Sequence, residues 1–306
     1  MKTSFCAPIT SKLARSLMPA RPDDSHKGTF GRALVIAGSR KYTGAAGLAI
    51  QAALRSGAGL VFGAIPEIIH APLAASIPEA IWLTLLDHEG AIANEALSRI
   101  PELLAGRDSI LIGPGLDQTE GVQVFLLGLL EHLCKNFPNT PLVIDAEALN
   151  ILSRQSDWHI LLPNQTVLTP HEMEFSRLTG LPLNEIHANR QEFAKAYAQE
   201  WNQTLILKGA NTIITSAQGD CRVLPFANSV LAHGGSGDVL AGLLVGLLAQ
   251  GLVPFDAATL AVWLHARAAE LALEAVGHPA ATLPSDILQQ FGKVMAELKR
   301  SNSSSH

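Results

Sequence analysis

The sequence predicts an α/β fold, a mostly parallel sheet covered by helices on both faces, and three observations predict it. Short β-branched apolar runs alternate with helix-patterned stretches, the rhythm of βαβ units. Hydrophobic residues make up 48% of the 306-residue chain against 16% charged and 5% aromatic, with Ala, Leu and Gly dominant, as suits tightly packed helices on a sheet. Glycine or polar clusters stand at the carboxyl ends of the candidate strands, where parallel sheets place their ligands.

The first unit starts at Arg32: Leu34-Val35-Ile36-Ala37 is an apolar strand, Gly38 ends it, and the loop SRKYTG leads into a helix that Gly57 and Gly59 stop. Leu60 to Ile65, a helix-like stretch near Glu67 to Ala75, and Ala80 to Leu85 repeat the pattern. A helix is expected over Ala91 to Leu104, then a strand over Ser109 to Ile112 with the turn Gly113-Pro114-Gly115, a helix over Glu120 to Cys134 and a strand over Pro141 to Ile144 ending at Asp145. Thr166 to Leu168 is a brief strand, His171 to Leu178 a short helix and Leu183 to Trp201 one longer amphipathic helix. Thr204 to Leu207, Thr212 to Thr215 and Cys221 to Leu224 read as strands, the last two joined as a hairpin through Gln218-Gly219-Asp220. The loop GGSGDVLAG follows, then its long helix, a helix over Phe255 to Ala275 and a last one near Pro284 to Lys299.

No internal repeat or linker-like run divides the chain, so one domain over 26–299 is expected, with an N-terminal tail over 1–25 and a C-terminal tail over 300–306. The N-terminal tail is read as disordered or docking rather than as a targeting peptide. A net charge of -5 and a pI near 6.1 give no footprint for nucleic acid or an anionic membrane. The apolar run Val239 to Val253 falls short of the ~20 residues a bilayer requires. Cys6, Cys134 and Cys221 are odd in number and scattered, and read as reduced thiols of a cytoplasmic protein.

Neither GxxxxGK[ST] nor GxGxxG is present, so a nucleotide would need another solution. The loop Gly234 to Gly242 supplies one: three glycines and Ser236 stand before Asp238 and a helix start, where free N-H groups and partial positive charge suit a phosphate. By position alone Asp238 is an N-cap or first-turn residue worth ~1 kcal/mol. A cap needs no such glycines, and a carboxylate beside a phosphate fits a base that takes a proton from an attacking hydroxyl, held ionised by the helix end. Lys208 could meet a phosphate or be a solvated strand-end lysine. His171 with Glu172 could contact a ligand, although a helix cap is the favoured reading. HEME is not HExxH, so no zinc site follows. Asp145 could serve a cation or water network, or cap the next helix. His265, in an apolar helix, reads as a satisfied core histidine.

Together these stretches resemble the ADP-dependent NAD(P)H-hydrate dehydratases, the carbohydrate-kinase-like family of the ribokinase superfamily. The matching segments run from His26 to about Phe291 in family order: HKGTFGR, IAGSRKYTGAA, AALRSGAGLV, IGPGL, VIDAEALN, LTPHEMEFSRL, LKGANT, GGSGDVLAG and LLAQG. The resemblance implies a ribokinase-like three-layer α/β/α sandwich. It also implies a repair reaction: dehydration of (6S)-NADHX or NADPHX to NADH or NADPH, coupled to hydrolysis of ADP to AMP and phosphate, or of ATP in eukaryotes.

On that resemblance Asp238 is the base, and the N-H groups of Gly235, Ser236 and Gly237 cradle the transferring phosphoryl. Ala46, Gly115, His171 and Asp238 match positions that contact the hydrated dinucleotide. Lys208, Gly209, Ala210, Asn211, Thr212 and Gly237 match the nucleotide segment. Mg2+ would bridge the nucleotide phosphates, with no side chain declaring itself a ligand. The resemblance further implies a homotetramer, and, since an epimerase domain does not fit ahead of His26, an epimerase that is a separate pathway partner or absent. Two departures, His233 and Phe226-Ala227-Asn228-Ser229, bear on nucleotide preference. A small-molecule kinase of the same superfamily is the alternative, and a nucleotide-binding regulator without turnover a third reading.

Overall fold

The computed structural model describes residues 6–300, whose strands build one large sheet and one small hairpin. The strands are β1 Ala7–Pro8, β2 Arg32–Ile36, β3 Leu60–Pro66, β4 Ile81–Leu85, β5 Asp87–His88, β6 Ala91–Ile92, β7 Ser109–Ile112, β8 Leu142–Ile144, β9 Thr166–Leu168, β10 Thr204–Leu207, β11 Ile213–Thr215 and β12 Cys221–Val223. Ten of them pair in the order β1-β12-β11-β10-β9-β8-β7-β2-β3-β4, and β5 pairs with β6. All pairings in the large sheet are parallel except β10 with β11 and β11 with β12.

Alternation along β2 shows why two helical layers are needed. Ala33, Val35 and Ala37 belong to one buried cluster, Leu34 and Ile36 to another, and all five are fully buried. The first cluster is closed by helices Thr43–Arg55, Ser236–Ala249, Pro254–Val276 and Pro284–Arg300, the second by Glu120–Asn136, Glu147–Leu152, Glu172–Thr179 and Arg190–Glu200. The three-layer sandwich expected from the sequence is therefore what the chain adopts.

The helix Ser236–Ala249 is buried at every residue from Val239 to Ala249, which explains its apolar run without any membrane. No helix among the described residues is long and apolar enough to cross a bilayer. Its glycines permit close packing on Thr43–Arg55: a Cβ at Gly242 would overlap the Ala49 carbonyl, and one at Gly246 the Ser56 hydroxyl. Gly242→Ala gains up to ~1 kcal/mol of helix propensity. Overpacking against backbone costs ~1–3 kcal/mol and wins, so the variant's denaturation midpoint is expected to fall.

Four expectations are corrected. Residues 7–8 form a sheet strand and Ser11–Leu17 a helix whose Ala14 is fully buried, so the N-terminal segment docks on the fold, one of its two readings, and what is corrected is disorder there and a sheet that starts only after His26. Cys6 and Cys221 form a disulfide with Cα atoms 4.6 Å apart. The register of β1 on β12, Ala7 opposite Arg222, brings them together, and sequence spacing gives no hint of it. Cys134 is a free thiol.

The helix expected over 91–104 is instead strand β6, a 3-10 turn Asn94–Arg99 and a helix Ile100–Leu104. Glu89 and Gly90, both at positive φ, turn the β5-β6 hairpin, and Pro101 restarts the helix at its first turn. The helix expected over 183–201 breaks at Asn189, whose φ of -132° and ψ of 34° are not helical. Arg190 thereby becomes the first residue of a new helix. The C-terminal tail from 301 lies outside the described residues.

Candidate active site

Strand order reverses between β2 and β7, because β3 and β4 continue on one side of β2 while β8, β9 and β10 continue beyond β7. Loops diverging from such a point leave a crevice beyond the strand ends. The two loops are joined by the Gly38 N-H, which donates to the Pro114 carbonyl at 2.8 Å. Gly115 has φ of +67°, and a Cβ there would lie 2.7 Å from the Tyr42 carbonyl, so glycine is required twice over. Its N-H donates to Glu147 Oε2 at 3.0 Å. Ala46 is fully buried in the helix after the first loop.

Gly235, at φ of +97°, turns the chain into the helix whose first residues are Ser236, Gly237 and Asp238. First-turn N-H groups have no partner within their helix and point at whatever occupies the crevice. The Ser236 hydroxyl donates to the Leu231 carbonyl at 2.8 Å and its N-H to the His233 carbonyl at 3.2 Å. Ser236 is thus tied into the turn, while His233 sits with Nδ1 3.2 Å from the Val230 carbonyl.

Asp238 departs from the expectation of a carboxylate held ionised. Burial, reinforced by repulsion from Asp145, raises its pKa to about 7, with Lys208 acting the other way. The helix end is outweighed by desolvation and like charge.

Lys208 is the hub of this charge cluster and not a solvated strand-end residue. Its Nζ lies 2.7 Å from Asp145 Oδ1 and 3.9 Å from Glu174 Oε2, and a Cβ on Gly237 would lie 3.4 Å from it. Burial works against its charge, but Asp145, Glu174 and Asp238 together hold its pKa above the usual lysine value. Asp145 is buried and also accepts from the Thr169 hydroxyl at 2.7 Å. Burial raises the pKa of Glu174 against the pull of Lys208, and burial likewise raises that of Glu147. Three carboxylates, Asp145, Glu174 and Asp238, thus surround one lysine, and Glu147 adds its charge to that felt by Asp238 and Glu174.

His171 caps the helix Glu172–Thr179, as favoured: its Nδ1 accepts from the Met173 and Glu174 N-H groups, each at 3.1 Å, and its own N-H donates to Glu174 Oε2 at 2.8 Å. The proton of the neutral ring therefore sits on Nε2, and burial with the nearby Lys208 cation lowers the ring's pKa. Half of its side chain remains exposed.

Beside the cluster opens a cleft of about 510 Å³, lined among others by Lys208, Gly209, Ala210, Thr212, Gly237 and His265. Asn211 stands outside its lining, with its N-H donated to Phe226. His265 is buried, yet its Nε2 finds no hydrogen-bond partner, which corrects the reading of a satisfied core histidine. Burial and the Lys208 cation hold its pKa down at about 4, so a neutral ring faces the cleft. Glu147 and Glu174 were not singled out from the sequence, whereas Thr169 belongs to the strand-end cluster Thr169 to Glu172 expected to line the site. The signal for the two glutamates was the recurrence of polar residues just past strand ends, in DAEALN and TPHEME. Among the described residues no group of three or more His, Cys, Asp or Glu side chains could hold a metal ion.

A model of the family described as NAD(P)H-hydrate dehydratase matches residues 33–292. An ADP-dependent (S)-NAD(P)H-hydrate dehydratase of Bacillus subtilis is 38% identical over 290 residues, covering 93% of this chain and 97% of that protein. A bifunctional NAD(P)H-hydrate repair enzyme of Moorella thermoacetica is 38% identical over 294 residues, 95% of this chain but 54% of its own. The chain thus spans about half the length of the bifunctional relatives it matches. A crystal structure of the Bacillus subtilis ADP/ATP-dependent NAD(P)H-hydrate dehydratase, co-crystallized with ATP and Mg2+, superposes with a TM-score of 0.83 at 32% identity, over 97% of this chain and 100% of that one. Matching in sequence over most of its length and in fold throughout, the chain belongs to the NAD(P)H-hydrate dehydratase family and has its ribokinase-like fold.

Proposed function

We propose that this chain repairs hydrated nicotinamide dinucleotides, dehydrating (6S)-NADHX or NADPHX at the expense of ADP. The carrying observation is a half-buried carboxylate, Asp238, with a pKa raised to about 7, on the first turn of a glycine-preceded helix beside a lysine-bearing cleft. In this reading Asp238 takes the proton of the ring hydroxyl as its oxygen attacks the terminal phosphorus of ADP. The phosphorus-oxygen bond to AMP breaks. The new ring phosphate then leaves as its carbon-oxygen bond breaks and the neighbouring carbon loses a proton, restoring the ring double bond. The sum is hydrated cofactor plus ADP to reduced cofactor, AMP and phosphate.

The first-turn N-H of Gly237, flanked by those of Gly235 and Ser236, receives the charge that develops on the transferring phosphoryl. Ser236 must first release the His233 carbonyl. Lys208 to Thr212 hold the nucleotide, while Ala46, Gly115 and His171 face the hydrated dinucleotide. Among the described residues there is no cluster of carboxylates, histidines or cysteines able to hold a metal ion, so Mg2+ would be carried by the nucleotide phosphates and water. Bound there, the ion would offset charge on the phosphates. ATP is the alternative donor. A homotetramer, a cytoplasmic location and an epimerase acting on the same substrate complete the reading, which the Cys6–Cys221 disulfide weighs against as regards the compartment.

The test is recovery of reduced-nicotinamide absorbance from hydrated NADH with Mg2+ and either ADP or ATP. Because Asp238 must be ionised to act as base, kcat/KM is expected to rise with pH through about 7 and level off above it. A profile flat from pH 5 to 8 would remove the base from this role.

A further inference from the structure

The break at Asn189 places Arg190 against the backbone of the nucleotide loop. Its guanidinium donates to the carbonyls of Lys208 at 3.1 Å, Leu207 at 3.4 Å and Asn211 at 3.5 Å, and most closely to that of Ala210. Its Nε lies 2.9 Å from Glu172 Oε1, a charge contact in which the N-H does not point along the line of approach. Glu172 directly follows His171, which caps the same helix.

One rigid fork thus gathers the carbonyls of Leu207, Lys208, Ala210 and Asn211. In a planar trans peptide the N-H points opposite to the C=O, so this grip fixes the direction of the loop's donors. Lys208 and Asn211 donate theirs to the Pro170 and Phe226 carbonyls at 2.9 and 3.0 Å. The Gly209 and Thr212 N-H groups face away from the guanidinium. The loop also carries two backbone conformations that need holding: Gly209 at φ +139° and Asn211 at +57°. A Cβ on Gly209 would approach Arg190 to 2.8 Å, so the glycine and the arginine are fitted to each other.

We infer that Arg190 is a positioning residue that sets nucleotide affinity by clamping the 207–211 backbone, with Glu172 tying that clamp to the helix His171 caps. The inference rests on the reading of residues 208–212 as the nucleotide segment. Lysine has a point charge and cannot span four carbonyls, so Arg190→Lys recovers only part of the grip.

The test measures ADP binding by calorimetry, steady-state kinetics and thermal midpoints for wild type, Arg190→Ala and Arg190→Lys. For Arg190→Ala the expected result is a rise of at least about tenfold in both Kd and KM for ADP. The kcat at saturating ADP and the KM for hydrated dinucleotide are expected to stay near wild type, with Arg190→Lys intermediate for ADP alone. Should Arg190→Ala not fold, the same split in Arg190→Lys carries the test. Wild-type ADP affinity in Arg190→Ala overturns the inference while leaving the nucleotide reading intact. So does a loss shared by kcat, both KM values and the thermal midpoint, which marks a merely structural role. If wild type itself binds no ADP, the nucleotide reading falls first and the inference with it.

Discussion

Replacing Asp238 by Asn is expected to lower kcat by about 10²–10⁴-fold, the usual span for loss of a general base. The side chains are nearly the same size and the helix start remains polar, so packing around Gly235 and Ser236 is kept. What is lost is the ability to accept a proton at the position where a hydroxyl meets the phosphoryl group. ADP binding should persist or tighten, because Asn removes a like charge from beside the phosphates. Equal loss of ADP binding and turnover would mean that Asp238 acts on nucleotide binding and not as the base.

The second large effect is on stability. Lys208→Met leaves Asp145, which is buried, without its cation and leaves Glu174 and Asp238 facing uncompensated like charge. Breaking a buried pair by removing one partner costs ~3–5 kcal/mol. A drop of that size in urea denaturation at pH 8 is the expected outcome, and an unchanged midpoint would contradict the cluster's charge assignment. Loss should be smaller at pH 5. Asp238 and Glu174 have folded pKa values raised above their unfolded ones, so their protonation favours the folded state in acid and that contribution fades as pH rises through the folded values. Lys208 also lowers the pKa of Asp238, so whatever turnover survives in Lys208→Met should need a higher pH.

The layering was legible in the sequence wherever local pattern and tertiary demand agree. The β2 run reads as a two-faced buried strand because Leu34, Val35 and Ile36 are apolar on both faces, and the helix after Gly235 reads as buried because it has no polar stripe. The location of Asp238 was legible because glycines just before a helix have few uses besides close approach to a ligand.

Its charge state was not. It depends on Asp145, Glu147, Glu174 and Lys208, which come from three other segments and meet only through sheet order. The same holds for Cys6 and Cys221, joined by a strand register, and for His265, whose unpartnered nitrogen is a property of its surroundings. Asn189 interrupts a helix that its neighbours' periodicity continues. The position it gives Arg190 has meaning only beside a loop near residue 210.

The most direct test of the central claim is a single-turnover experiment with purified protein, hydrated NADH, Mg2+ and ADP, following inorganic phosphate and reduced-nicotinamide absorbance together. The account predicts one phosphate and one AMP for each reduced cofactor restored, and both signals slowed together by about 10²–10⁴-fold in Asp238→Asn. A stable phosphorylated dinucleotide with no free phosphate would show a kinase, and ADP bound with no turnover a regulator; either would contradict it.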